Sequence, residues 1–300
     1  MRRTGAEMRR RGSGVVVGGA ALVLTIVASG TAWASPPTSR VPASTAHRAP
    51  VRAGNVADSF GSGEGGIETG PYAPGSDTAT DKCHRSATSP ARLVERTGLI
   101  RVAVDASCSG ATTTNVTTTG QYGEPPQAEQ LDPGLGLVYV IIGGNDINFG
   151  TLSACFIQTD CDKTPIPAAS MQLISVLAPK LDAAYNAVRA HAPAARVIVE
   201  LYPRLLPAVG APVGPFCPEF DTAEIALGNQ VQTQLNAVIA ERARAHGFRV
   251  ADPAPFFVRH DLCSTSSFFY QPGAVPPAAT FHPNLSGRVG LAIAAGLTSI

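Results

Sequence analysis

Three short runs dominated by β-branched and other apolar residues, Ile100–Val104, Leu137–Ile142 and Arg196–Leu201, constrain the fold most strongly. Each is nearly continuous in apolar character, the pattern of a strand covered on both faces. Helical periodicity fills the stretches around them. Ser86–Arg96 carries Pro90 near its start, and Ala168–His191 places Leu173, Ile174, Leu177, Leu181, Tyr185 and Val188 at helical spacing. Thr222–His246 repeats the pattern with Ile225, Leu227, Val231, Leu235, Val238 and Ile239, and Gly247 follows as a stop. Phe248–Ala251 reads as a further strand and Asn284–Leu297 as a last helix. Strand alternating with helix predicts one α/β domain over residues 51–300, three layers deep, with helices on both faces of a central, mostly parallel sheet.

The first 34 residues are read as lying outside that domain. Arg2, Arg3, Arg9, Arg10 and Arg11 precede an apolar run from Val15 to Val27, and Ala32-Trp33-Ala34 supplies a small-x-small cleavage site. This is the layout of a secretory signal peptide, and the run is shorter than the ~18 or more residues of a spanning helix. Residues 35–50, rich in Ser, Pro, Thr and Ala, read as a disordered tail. Removing residues 1–34 takes away five Arg and one Glu, which turns the formal charge from +1 to −3. With three Lys in all and no polybasic block, a nucleic-acid binder is excluded, and no stable membrane anchor is expected. The mature chain is expected to be secreted and extracellular.

All six cysteines, Cys83, Cys108, Cys155, Cys161, Cys217 and Cys263, fall in the mature chain. An even count in an exported protein implies a disulfide framework, and six cysteines allow fifteen pairings that spacing alone does not separate. The absence of C-x-x-C takes the main support from the zinc-ribbon and thioredoxin-like alternatives. The long segments 61–85, 106–136, 146–167, 207–220 and 260–283 read as loops, and every cysteine lies in or beside one of them.

Three of these junctions carry chemistry. In Asn55-Val56-Ala57-Asp58-Ser59-Phe60-Gly61, a serine follows a short apolar approach and precedes glycines, which suits a nucleophile on a tight strand-to-helix turn. A Gly-Ser loop is the bland reading of the same residues. Gly61-x-Gly63-x-x-Gly66 also matches a dinucleotide fingerprint, but it opens a Gly- and Pro-rich loop rather than a helix and is rejected. Gly143-Gly144-Asn145-Asp146 directly follows an apolar strand, where open α/β sheets place their sites, and offers the Asn145 amide as an oxyanion donor. Its bland alternative is a β-turn. Phe281-His282-Pro283-Asn284 leads into the last helix with a histidine placed to act as general base. His260-Asp261 is the rival His–acid pair, and no H-E-x-x-H zinc motif is present.

No one of these segments is specific alone; their order along the chain is. Together with Cys83-His84-Arg85-Ser86, Cys108-Ser109-Gly110-Ala111-Thr112-Thr113, Tyr202-Pro203-Arg204-Leu205 and Leu235-Asn236, the chain from Asn55 to Gly287 resembles the SGNH (GDSL-type) serine hydrolases, in particular secreted actinomycete lipases and esterases. The resemblance implies a flavodoxin-like layering, Ser59 as nucleophile and His282 as base. It also implies an oxyanion hole of the Ser59 N–H, the Gly110 N–H and the Asn145 amide. Sequential disulfides 83–108, 155–161 and 217–263 follow from the same resemblance. Two positions depart from the family: Ala57 stands where Gly is usual, and Ala279 stands where an Asp often precedes the histidine by three. The resemblance then implies a dyad in which the Ala279 carbonyl orients the His282 ring, a role a carbonyl dipole can fill. Asp58, beside Ser59, suits a structural hydrogen bond; Asp261 is an outside candidate for the acid.

The expected function is hydrolysis of carboxylic esters through an acyl-enzyme, by a monomer without metal or organic cofactor. Lipid or other small-molecule esters are the expected substrates, with Phe256-Phe257 and Phe268-Phe269-Tyr270 as candidate acyl-pocket walls. The alternatives are a carbohydrate acetylesterase and a non-catalytic binding domain on a decayed hydrolase scaffold.

Overall fold

The computed structural model describes residues 49–157, 160–211, 217, 220–273 and 277–299. The expected signal peptide and all but the last two residues of the expected tail lie outside the described residues. Five strands, β1 (Val51–Ala57), β2 (Ile100–Asp105), β3 (Leu137–Ile141), β4 (Arg196–Glu200) and β5 (Arg249–Ala251), pair in the order β2-β1-β3-β4-β5, and every pairing is parallel. β3 is buried along its whole length, as its unbroken apolar run predicts. Val138 and Val140 face one core, Leu137 and Tyr139 the other.

The helices in chain order are α1 (Ser59–Ser62), α2 (Pro90–Glu95), α3 (Thr113–Thr117), α4 (Phe149–Phe156), α5 (Ile166–Ser175), α6 (Ala178–His191), α7 (Thr222–Ala245) and α8 (Leu285–Ser299). α2 and α8 pack together over one face of the sheet, and the larger core under α6 and α7 fills the other. The chain turns one way from β1 to β2 and the other way from β3 through β5. The carboxyl ends of β1 and β3 therefore border a crevice at the switch point, where α/β sheets bind ligands.

Two local expectations are corrected. The helix expected over Ala168–His191 is two helices, because Pro179, in the first turn of α6, lacks the N–H that a continuing helix needs and its ring collides with the carbonyl four residues earlier. The segment 146–167, expected as loop, contains α4 and the start of α5.

Cys83–Cys108, Cys155–Cys161 and Cys217–Cys263 are bonded, the sequential pairing that the resemblance implied. The Cys155–Cys161 loop is further held by α7. Asp221 and Glu224 form a capping box at its start, and Glu224 Oε1 also accepts from the Cys161 N–H at 2.8 Å.

Candidate active site

β1 ends one residue short of Asp58, whose Oδ1 accepts from the Phe60 N–H at 3.0 Å and so caps α1. Ser59 is the first residue of α1, where a helix leaves its N–H groups unpaired. The helix lies so close over β1 that a Cβ on Gly61 would fall 2.2 Å from the Ala57 Cβ. Ala57 is thus accommodated because Gly61 opposes it. Asn55 secures the same turn, donating through Nδ2 to the Gly61 carbonyl (3.1 Å) and to Asp105 (3.0 Å).

His282 Nε2 lies 2.8 Å from Ser59 Oγ, and its ring packs 5.4 Å from that of Phe60. Burial pushes the imidazole below its ordinary range. The Glu64 carboxylate and the carbonyls of Thr280, Ala278 and Ala279 act in the opposite sense. The Ala279 carbonyl, expected to orient the ring, is one of those three and also serves the backbone. Phe281 takes a left-handed conformation (φ 69°), which closes a turn in which the Ala279 carbonyl accepts from the His282 main-chain N–H at 2.9 Å. The ring Nδ1 is buried and has no hydrogen-bond partner among the described residues.

The loop after β3 is tied to its neighbours on both sides. Asn145 Nδ2 donates to the Ala111 carbonyl at 3.0 Å, which uses one of its two amide hydrogens and fixes the direction of the other. Asp146 accepts from the Thr113 N–H (2.9 Å) and hydroxyl (2.6 Å). The Gly144 N–H donates to the Tyr202 hydroxyl (2.8 Å), which in turn donates to Asp58. One phenol thus links the serine turn to the asparagine turn. Desolvation pushes Asp58 up to about 7, although the Tyr202 and Phe60 hydrogen bonds work against it. Gly110 sits at φ 79° in the turn after Cys108, next to the carbonyl that holds Asn145.

Ser59 and Asn145 both line a cavity with about 780 Å³ of space between atoms, part of it open to solvent. Its walls are apolar: Phe60, Phe149, Phe156, Leu206, Val231 and Leu235 among them. The expected aromatic walls are not there. Phe257 packs edge-on against Phe268 and tilted against Phe269, in the core, while His260 stacks on Phe268 and bonds Ser266. Asp261 accepts from the Cys263 N–H and takes no part in orienting His282. The walls from α4 escaped sequence reading because that stretch looked like loop. A helical spacing of Phe149, Leu152 and Phe156 was the available signal.

Among the described residues, Asp81, Cys83 and Glu124 are the group close enough to hold a metal. The Cys83 sulfur is committed to a disulfide, Arg85 binds Glu124 through two nitrogens, and Asp81 accepts from the Cys83 N–H. Those donors fit a structural junction.

The all-parallel sheet sets Ser59 and Asn145 just past the carboxyl ends of β1 and β3, with His282 brought to Ser59 by the loop before α8, an arrangement suited to nucleophilic attack on an ester. Residues 58–288 match the GDSL-like lipase/acylhydrolase family, and the chain belongs to it. It is 34% identical over 186 residues to Lipase 1 of Streptomyces coelicolor, a match spanning 61% of this chain and 65% of that one, just under two thirds of the relative's length. In structure it resembles the extracellular lipase of Streptomyces rimosus (TM-score 0.68, 28% identity, 83% of this chain and 99% of that one). It is similarly close to phospholipase A1 of Streptomyces albidoflavus NA297 (TM-score 0.69, 27% identity, 84% and 99%).

Proposed function

We propose that the chain is a secreted lipase or esterase that acts through an acyl-enzyme on Ser59. The observation carrying this reading is the 2.8 Å contact between Ser59 Oγ and His282 Nε2 at an apolar cavity. As Oγ attacks the ester carbonyl carbon, His282 Nε2 takes its proton. The tetrahedral oxyanion is held by the N–H groups of Ser59 and Gly110 and by the free amide hydrogen of Asn145. Collapse expels the alcohol, which receives the proton from His282. Water then attacks the acyl group with His282 again as base, and the acid leaves. The base must be neutral to work, so the downward push of burial on His282 extends activity toward mildly acidic pH.

The cavity favours a lipid acyl chain over an acetyl group, and the names of the relatives as lipase and phospholipase A1 support that choice. Secretion is supported by the N-terminal sequence, the three disulfides and the extracellular Streptomyces rimosus relative. No helix among the described residues is long and apolar enough to cross a membrane.

A fluorophosphonate probe should label the purified mature chain on the peptide containing Ser59, and nitrophenyl esters from acetyl to palmitoyl should be cleaved with an optimum above acetyl. A folded, oxidised chain that neither takes the probe nor cleaves any ester returns the non-catalytic binding domain.

The cavity also predicts where its length is set. Gly228, inside α7, lines it, and a Cβ there would meet Leu206 Cδ1 at 2.5 Å and Phe156 Cζ at 3.2 Å, both wall residues. Gly228→Val should therefore displace the far end of the acyl chain. Each buried methylene contributes roughly 0.8 kcal/mol, so losing two lowers kcat/KM on the longest esters by about tenfold. The acetyl ester should be cleaved as before. An unchanged chain-length profile would place the acyl group elsewhere.

A further inference from the structure

One buried carboxylate beside the serine–histidine pair has no part in the steps above. Glu64 lies five residues beyond Ser59 and is 2% exposed. It is flanked by Gly63 and Gly65 at φ 84° and 81°, conformations that L side chains rarely adopt. The turn they make brings the Glu64 N–H back to the Ser59 carbonyl at 3.0 Å. The side chain points into the protein, where Oε2 lies 2.6 Å from His84 Nδ1 and Oε1 accepts from the Tyr72 hydroxyl and the Gly65 N–H at 3.3 Å each. His84 stacks on Tyr72 with ring centroids 4.7 Å apart, and its Nε2 is 3.4 Å from Asp77. A carboxylate this buried is costly unless partnered, and here three partners hold it in one place.

The same turn abuts the histidine loop. The Gly65 carbonyl accepts from the Tyr270 hydroxyl at 2.7 Å, and the main chain of Tyr270 pairs with both the Phe281 N–H (2.8 Å) and the His282 carbonyl (2.9 Å). A Cβ on Gly65 would sit 2.8 Å from the Ala279 Cβ. The Glu64-Gly65 backbone thus fills the space beside position 279, where the side-chain acid of a triad was missed. The charge of Glu64 acts on His282 in the sense that favours the imidazolium. His282 Nδ1 is buried and has no hydrogen-bond partner among the described residues.

We propose that Glu64 is a positioning residue for the reaction, stabilising the His282 imidazolium through space in place of the acid absent at position 279, with His84 and Tyr72 fixing its carboxylate. This rests on Ser59 and His282 being the catalytic pair. Glu64 has His84, Tyr72 and, through His84, Asp77 around it. Asp58, next to Ser59, feels Asp146, and Glu68 and Arg288 act on Tyr270.

The test is the pH profile of kcat and kcat/KM for the full mature chain, Glu64→Gln, Glu64→Asp and Ser59→Ala. Removing a charge that favours the protonated ring moves the acid limb to lower pH, by about half to one unit, and lowers kcat about tenfold with KM unchanged. Asp58 titrates in every variant, so the shift is read as a difference between them. Glu64→Asp retains the charge one methylene further back, so its limb should lie measurably between those of the native chain and Glu64→Gln, with kcat partly restored. It carries the test if Glu64→Gln does not fold: a fall in its kcat with a limb displaced partway downward supports the proposal. An acid limb that does not move in whichever variant folds overturns it and leaves Glu64 a structural acid. If Ser59→Ala keeps its activity, the pair itself is misassigned; if Ser59→Ala is inactive and the limb stays fixed, only the role of Glu64 falls.

Discussion

Ser59→Ala is expected to lower kcat for ester hydrolysis by at least about 10⁴-fold while leaving the fold intact. The magnitude follows from what the hydroxyl does: without it no acyl-enzyme forms, and the remaining oxyanion donors can only assist direct attack by water. The mutation removes one atom whose sole side-chain partner is His282 Nε2, and it leaves the α1 cap untouched, because that cap is made by Asp58. Its effect on stability should stay within about 1 kcal/mol, the range of a single exchanged hydrogen bond. Steady-state hydrolysis beside a thermal melt measures both quantities. A folded variant that retains activity within tenfold of the native chain would remove Ser59 from the mechanism.

Asn145→Ala should follow at about 10²–10³-fold in kcat, the cost of deleting one preorganised donor to a developing oxyanion. The bond from Asn145 Nδ2 to the Ala111 carbonyl makes the prediction sharper. The amide is held before substrate arrives, so its free hydrogen is aimed without reorganisation. Such a donor acts on the transition state more than on the bound ester, and KM should change little. Asn145→Asp is the stringent companion: it keeps the shape but places an acceptor where negative charge develops, and it should be no better than alanine. A variant whose KM rises while kcat holds would make Asn145 a substrate-binding group instead.

Much of this architecture was readable before any coordinates, for reasons that differ from element to element. The runs that became β2, β3 and β4 are legible because a strand buried on both faces has no polar position to blur it. β1 was read only as an approach to Ser59. Arg52, Gly54 and Asn55 interrupt its apolar character, and Asn55 is buried to tie down the serine turn rather than to pack. The site residues were found because each stands at a strand end or helix start, where local sequence dictates a turn. What stayed hidden is tertiary. Nothing in the spacing of Glu64 and His282, 218 positions apart, says that their segments touch. The carbonyl of Ala279, expected to face the ring, also closes the turn at Phe281, a second use that only the folded loop reveals. The cavity walls are contributed by α4, α7 and the segment after β4, a set that only the folded chain assembles.

None of the six cysteines lies in a strand. The sheet can therefore form without them, while the loops that carry the chemistry are braced by bonds that only an oxidising medium makes. Cys83–Cys108 joins the segment bearing His84 to the turn bearing Gly110, and Cys217–Cys263 anchors the approach to the histidine loop. With the cysteines reduced these loops would be slack while the sheet kept its pairing, so reduction is expected to loosen the site before the core.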